Sequence, residues 1–176
     1  SRWVEGALMF RGYRQEYAYY AKRHGGTAHA NAPVEDVWRV VQTIGGDTGY
    51  FFMDWAWRLR GFVDWLLGGT GLSRGRRDPV HLRVGDFVDS WQVVAMEPPR
   101  RLTLGFGMKA PGTGVMEFAI EPEGEGSRLT VTAYWHAAGV WGLAYWYAHA
   151  PMHALIFDGM ARRIAERAAA LAHGPD

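Results

Sequence analysis

Cysteine is missing from this 176-residue chain, which removes disulfides, thiolate zinc sites and cysteine nucleophiles at once. Net charge is nearly missing as well. The 19 Lys and Arg residues are offset by 18 Asp and Glu, a formal +1, and the two signs are interspersed. No basic surface for nucleic acid or an anionic membrane is written into that pattern. No apolar stretch reaches roughly 18 uncharged residues, so no transmembrane helix is expected. The opening Ser1-Arg2-Trp3 has neither an initiator methionine nor the h-region of a signal peptide. It reads as a tag remnant or as a domain cut from a longer chain, and a cytoplasmic location is the expectation. G-x-S-x-G and a Ser-His-Asp order are missing too, which argues against a covalent hydrolase.

Apolar and aromatic residues are plentiful. Hydrophobic residues make up 48%, aromatics 14%, with nine tryptophans. One full core in one domain is the default at this length. Residues 1–23 read as a helical extension or linker, 24–172 as a single domain and 173–176 as a tail.

The longest pattern lies in residues 139–171. Leu143, Tyr147, Ala150, Ala154, Phe157, Ala161, Ile164, Ala168 and Leu171 recur at steps of four and three, one apolar face of a long helix. Alanine stands where a tightly filled core would place leucine, which predicts room between this helix and a sheet. Earlier, Trp3, Ala7, Phe10, Tyr13, Tyr17 and Tyr20 form an aromatic stripe over 3–23, and Gly25-Gly26 breaks it. Thr27–Asn31 is a short strand, and Pro33 with Glu35 and Asp36 opens a helix, where the first amides favour acids. Residues 50–67 predict another helix with Phe52, Trp55, Leu59, Phe62 and Leu66 as its buried seam and Asp54 paired to Arg58. Residues 68–79 form a glycine- and arginine-rich loop.

From residue 84 the period becomes two. Phe87–Met96, Arg101–Met108, Val115–Glu121 and Arg128–His136 predict four antiparallel strands joined by Pro- and Gly-rich turns. Alternation places Phe87, Asp89, Trp91 and Val93 inward, then Leu102, Leu104, Phe106 and Met108, then Met116, Phe118 and Ile120, then Leu129, Val131, Ala133 and Trp135. Lys109, Glu117, Tyr134 and His136 fall outward as surface partners. Asp89 is the one ionisable group facing in.

A short strand, the Ala32-Pro33-x-x-x-Val37-Trp38 helix, an antiparallel run and a long closing helix resemble the START-like, helix-grip superfamily (SRPBCC), which includes polyketide cyclases and lipid-transfer domains. Arg74-Gly-Arg76-Arg77-Asp-Pro79, Val84-Gly-Asp86-Phe-Val-Asp89-Ser-Trp91, Met108-Lys109-Ala-Pro-Gly112, Tyr145-Trp-Tyr147 and Pro151-Met-His153 resemble more closely one family within it. That is a domain of unknown function often fused behind a short-chain-dehydrogenase-like NAD(P)-binding domain. The resemblance covers about residues 24–170. It implies an α+β fold in which a curved antiparallel sheet wraps around the C-terminal helix and encloses an elongated hydrophobic cavity. It also implies a Rossmann-type partner in cis or trans. The chain itself has no dinucleotide fingerprint: Gly68-Gly-Thr-Gly71 follows a helix and lacks the G-x-G-x-x-G spacing.

A carboxylate among Phe87, Trp91 and Val93 needs a proton, a cation or hydrogen-bond donors. Asp89 is therefore read either as a general acid/base or ligand anchor, or as a structural partner of Arg58, an arginine of the 74–77 loop or a helix terminus. His149 and His153 are four apart, but zinc takes three or four ligands and no third is signalled. They are read as cavity-lining groups, His153 ahead of His149, or as histidines satisfied by backbone or water. The arginines 74, 76, 77 and 83 are read as a solvated loop or an anion clamp at the cavity mouth.

Three functions are carried forward. The first is binding of a hydrophobic or amphipathic small molecule by Trp91, Phe106, Met108, Phe118, Trp135, Tyr147, Arg58 and Arg74, with Asp89 and His153 orienting its polar end, no cofactor and no metal. The second is a cyclase, dehydratase or isomerase using Asp89 and His153 as catalytic acid and base. The third is a structural domain that docks an NAD(P)-binding oxidoreductase.

Overall fold

A computed structural model describes residue 20, residues 22–55, residues 58, 59, 62 and 66, and residues 76–106 and 112–174. The leading stripe of residues 3–19, the loop of 67–75 and the Met108–Lys109 segment lie outside these.

The first strand, β1 (Lys22–Ala30), runs straight through Gly25-Gly26, where the sequence predicts a break and a shorter strand. The glycines serve contact instead. A Cβ at Gly26 would lie 2.4 Å from the Asp158 nitrogen and 2.5 Å from the Phe157 carbonyl carbon, so strand and closing helix touch backbone to backbone. Helix α1 (Val34–Val41) follows with Glu35 and Asp36 in its first turn, the charge its orphan amides prefer. A 3-10 turn spans Gly46–Thr48.

Strands β2 (Phe87–Val88), β3 (Trp91–Glu97), β4 (Arg101–Phe106), β5 (Gly112–Glu123) and β6 (Gly126–Ala137) complete one curved antiparallel sheet in the order β1-β6-β5-β4-β3-β2. The closing helix α2 (Gly139–His173) runs unbroken through Pro151. It packs mainly on β1, β6 and α1. The fold is α+β, a sheet gripping its C-terminal helix.

Several expectations change. Phe87–Met96 is not one strand: Val88 pairs directly with Trp91, and Asp89-Ser90 is a two-residue link whose first residue has φ 54°. The link turns the parity over, so Phe87 is 62% exposed and Val88 is buried. The inward sets of β4, β5 and β6 hold at Leu102, Leu104, Met116, Phe118, Leu129 and Val131. Glu117 and Tyr134, expected outward on the surface, are buried. Glu117 pairs across the ladder with Thr103 and Thr132 and lies 3.7 Å from Arg101, which gives the acid the cationic neighbour that burial demands.

The alanines of α2 also read differently from the expectation. Ala161, Ala165 and Ala168 are buried in the same core as Val37, Val41 and Ile164. Small side chains here allow close approach of β1 and α1 rather than leaving space. Farther up α2 the expected stripe turns outward: Leu143 is 40% and Tyr147 61% exposed, while Gly142 and Trp146 are buried.

The helical residues Asp54, Trp55, Arg58, Leu59, Phe62 and Leu66 keep the predicted spacing, but the seam is not buried. Trp55, Leu59, Phe62 and Leu66 are all more than half exposed. Asp54 accepts the Tyr50 N–H at 2.7 Å, a bond to the backbone just before its own helix.

Candidate functional site

Where the first half of α2 crosses the sheet, aromatic rings form a continuous row. Trp91 and Phe106 are ladder partners on β3 and β4, edge to face at 5.2 Å. Phe106 meets Trp135 of β6 at 5.5 Å, again edge to face, the arrangement that ring quadrupoles favour. Trp135 then faces Trp146 of α2 with centroids 6.4 Å apart and planes 17° apart. Trp146 stacks on His24 of β1 at 5.0 Å and lies 5.4 Å from His153. His149 stacks beside His153 at 6.0 Å and against Tyr145 at 4.3 Å.

Glycines on the neighbouring strand seat the central indole. A Cβ at Gly112 would lie 2.7 Å from Trp135 Cζ2, and one at Gly114 2.7 Å from Trp135 Cε3. The indole therefore covers bare backbone of β5, an aromatic filling the space that a glycine leaves.

Two polar atoms of this row stand out. Trp135 Nε1 is buried and has no hydrogen-bond partner among the described residues, although a buried donor normally finds one. His149 Nδ1 lies 2.7 Å from the Tyr145 carbonyl oxygen. A carbonyl only accepts, so Nδ1 is the donor in this contact. Among the described residues no group of three or more His, Asp or Glu is placed to hold an ion.

Asp89 sits in a second, tightly bonded cluster. Its carboxylate accepts the Tyr50 hydroxyl at 2.9 Å and the Gly46 N–H at 3.1 and 3.3 Å. Burial, then the adjacent Asp89 charge, pushes the Tyr50 phenol well above its ordinary value of 10.0. Arg76, half-buried, donates to the carbonyls of Ile44 and Gln42, at 2.7 Å for the latter, and to that of Asp78 at 3.0 Å. It thus holds the chain leaving α1, a role the solvated-loop reading lacks. Arg77 grips Asp86 with two bonds of 3.0 and 2.9 Å.

The two residues expected to share acid-base work stand on different elements. Asp89 links β2 to β3 at one edge of the sheet, and His153 lies 6.1 Å from His24 on β1, at the other edge. Trp91, Phe106 and Trp135 are brought together in the row, and Phe118 is fully buried in the core. Tyr147 points away from that core, its hydroxyl 2.8 Å from Lys22 Nζ. Arg58 is exposed, and Met108 and Arg74 lie outside the described residues. Sequence reasoning missed Tyr50, Trp146 and His24. Only Trp146 carried a signal, since Gly142, Trp146, His149 and His153 repeat the same four-three spacing one residue before the predicted stripe.

No curated protein matches the chain. Solved structures do. Protein NE0264 from Nitrosomonas europaea is similar at 16% identity with a TM-score of 0.51, covering 86% of this chain and 95% of that one. A Rhodobacter sphaeroides protein is similar at 16% identity and a TM-score of 0.51, covering 86% and 94%. CalU16 from Micromonospora echinospora is similar at 20% identity and a TM-score of 0.40, covering 87% and 98%. At these identities the likeness concerns the fold alone. Residues 15–160 match a family described as a protein of unknown function (DUF2867), and the chain belongs to that family.

Proposed function

We propose that the protein binds a hydrophobic or amphipathic small molecule where the first half of α2 crosses the sheet. The observation that supports this most is the buried Trp135 N–H, without a partner among the described residues and set in a row of rings. A donor left so costs about 1–3 kcal/mol, and a ligand carbonyl or hydroxyl oxygen recovers it. The surrounding rings favour a flat apolar body. The test is native mass spectrometry of the purified chain after unbiased lipid extraction and re-addition. A bound small molecule lost in Trp135→Phe supports the reading. No bound or added ligand in the parent sinks it.

A second reading has its own support. The stripe Trp55, Leu59, Phe62 and Leu66, each 53–61% exposed, is an apolar helix face of the kind that marks interaction surfaces. The resemblance to domains fused behind NAD(P)-binding modules makes such an oxidoreductase domain the partner to test. Co-expression with a short-chain-dehydrogenase-like domain and sizing of the mixture is the experiment. Association that Leu59→Glu abolishes supports it, and independent elution of the two proteins removes it.

A further inference from the structure

A cleft of about 480 Å³ lies between residues 51–55 and the stretch of α2 that carries Arg163, Glu166 and Arg167. Its volume falls in the range of small-molecule sites, roughly 300–1,000 Å³. One wall is apolar, made of Phe51, Phe52, Met53 and Trp55; the other carries Arg163, Glu166 and Arg167.

The apolar wall is built on unusual backbone. Phe51 and Met53 have φ of 66° and 50°, values that bulky residues adopt only when their surroundings hold them there. Here Asp54 holds the Tyr50 N–H at 2.7 Å and Asp89 holds the Tyr50 hydroxyl at 2.9 Å, fixing the residue between the glycine turn and the wall. Phe52 lies on bare helix backbone, since a Cβ at Gly159 would meet its ring at 2.3 Å. Strained residues held in this way gather at ligand sites.

The charged wall is unbalanced. Arg163 is paired with Glu166 at 3.1 Å. The Arg167 guanidinium lies 5.0 Å over the Phe51 ring and has no ion-pair partner among the described residues. The exposed Arg167 thus stands over an aromatic floor, where an arginine takes a carboxylate and keeps its ring contact. A single carboxylate would meet the Arg167 cation, whereas a second negative charge would meet Glu166.

We propose that this cleft is a second binding site, for a small amphipathic monoanion: a flat or acyl apolar body carrying one carboxylate, held by Arg167. It is independent of the aromatic-row ligand. Isothermal titration of the full chain with 1-naphthaleneacetate and with its methyl ester tests it. The acid is expected to fill one site, with the ester and the Arg167→Glu variant each binding about tenfold more weakly. Trp135→Phe should leave the acid's affinity within about twofold, because that indole lies in the other site. Arg167→Gln serves the same purpose should circular dichroism show Arg167→Glu unfolded. Equal affinity for acid and ester, no effect of either Arg167 variant, or no binding of the acid up to about 1 mM overturns the proposal. Binding lost in Trp135→Phe but kept in Arg167→Gln also overturns it, and places the acid in the aromatic row instead.

Discussion

Tyr50 donates its hydroxyl to the Asp89 carboxylate across 2.9 Å, and the same carboxylate takes the Gly46 N–H. One buried acid therefore ties the β2–β3 link, the glycine turn after α1 and the start of the cleft wall. Tyr50→Phe removes a donor from that acid and should cost about 1–3 kcal/mol in urea unfolding. The pH dependence has a definite sign. Folding raises the Tyr50 pKa above its ordinary 10.0, so its stabilisation is full below that value and declines as pH rises beyond it. Tyr50→Phe should flatten the alkaline limb of the stability curve.

Gly26→Ala should be among the most damaging single changes. The new methyl would meet the Asp158 nitrogen and the Phe157 carbonyl carbon, and neither backbone can turn aside. Overpacking of this kind costs about 3 kcal/mol, read as a lower midpoint in denaturant.

Gly114→Val tests the seat of Trp135. Its Cβ would lie 2.7 Å from the ring carbon Cε3 and 2.7 Å from the Tyr134 carbonyl oxygen, so the indole must shift. Ligand affinity at the aromatic row should fall about tenfold, with a changed tryptophan emission as the structural readout. An unchanged affinity would remove Trp135 from the site.

Acid sensitivity should centre on the loop before β2. The two hydrogen bonds from Arg77 hold the Asp86 carboxyl below its ordinary 3.8, and the His81 and Val80 amides do the same for Asp78. Folded values that are depressed give stabilisation present above the ordinary carboxylate range and lost as pH falls through them. Asp86→Asn should lower the thermal midpoint at pH 7, with the gap from the parent closing below about pH 4.

Periodicity made the architecture legible and left the faces partly undecided. The two-residue repeat located β4, β5 and β6 and their inward sets, because turn chemistry and alternation agreed there. It failed at Asp89, where a left-handed residue reverses the parity inside what reads as one strand. On α2, Leu143-Tyr147-Ala150-Ala154 and Gly142-Trp146-His149-His153 satisfy the same spacing. Spacing alone cannot choose between them; His24 and Trp135, brought in by distant strands, make the choice. Tyr50 had no local signal at all, since its partner lies 39 positions away. The acid was visible as an anomaly, but its donors were not.

The contact at Gly26 leaves no side-chain cushion between β1 and α2, so the lower half of the helix and the sheet can move only as one piece. The upper half rests on rings, which turn more readily than backbone yields. For the small molecule proposed to bind at the aromatic row, that end is the expected route, by tilting of the segment around Trp146 about a fixed base. Amide hydrogen exchange provides the check: protection at residues 157–168 should exceed that at 140–150 by several orders of magnitude, and equal protection along the helix would exclude such a hinge.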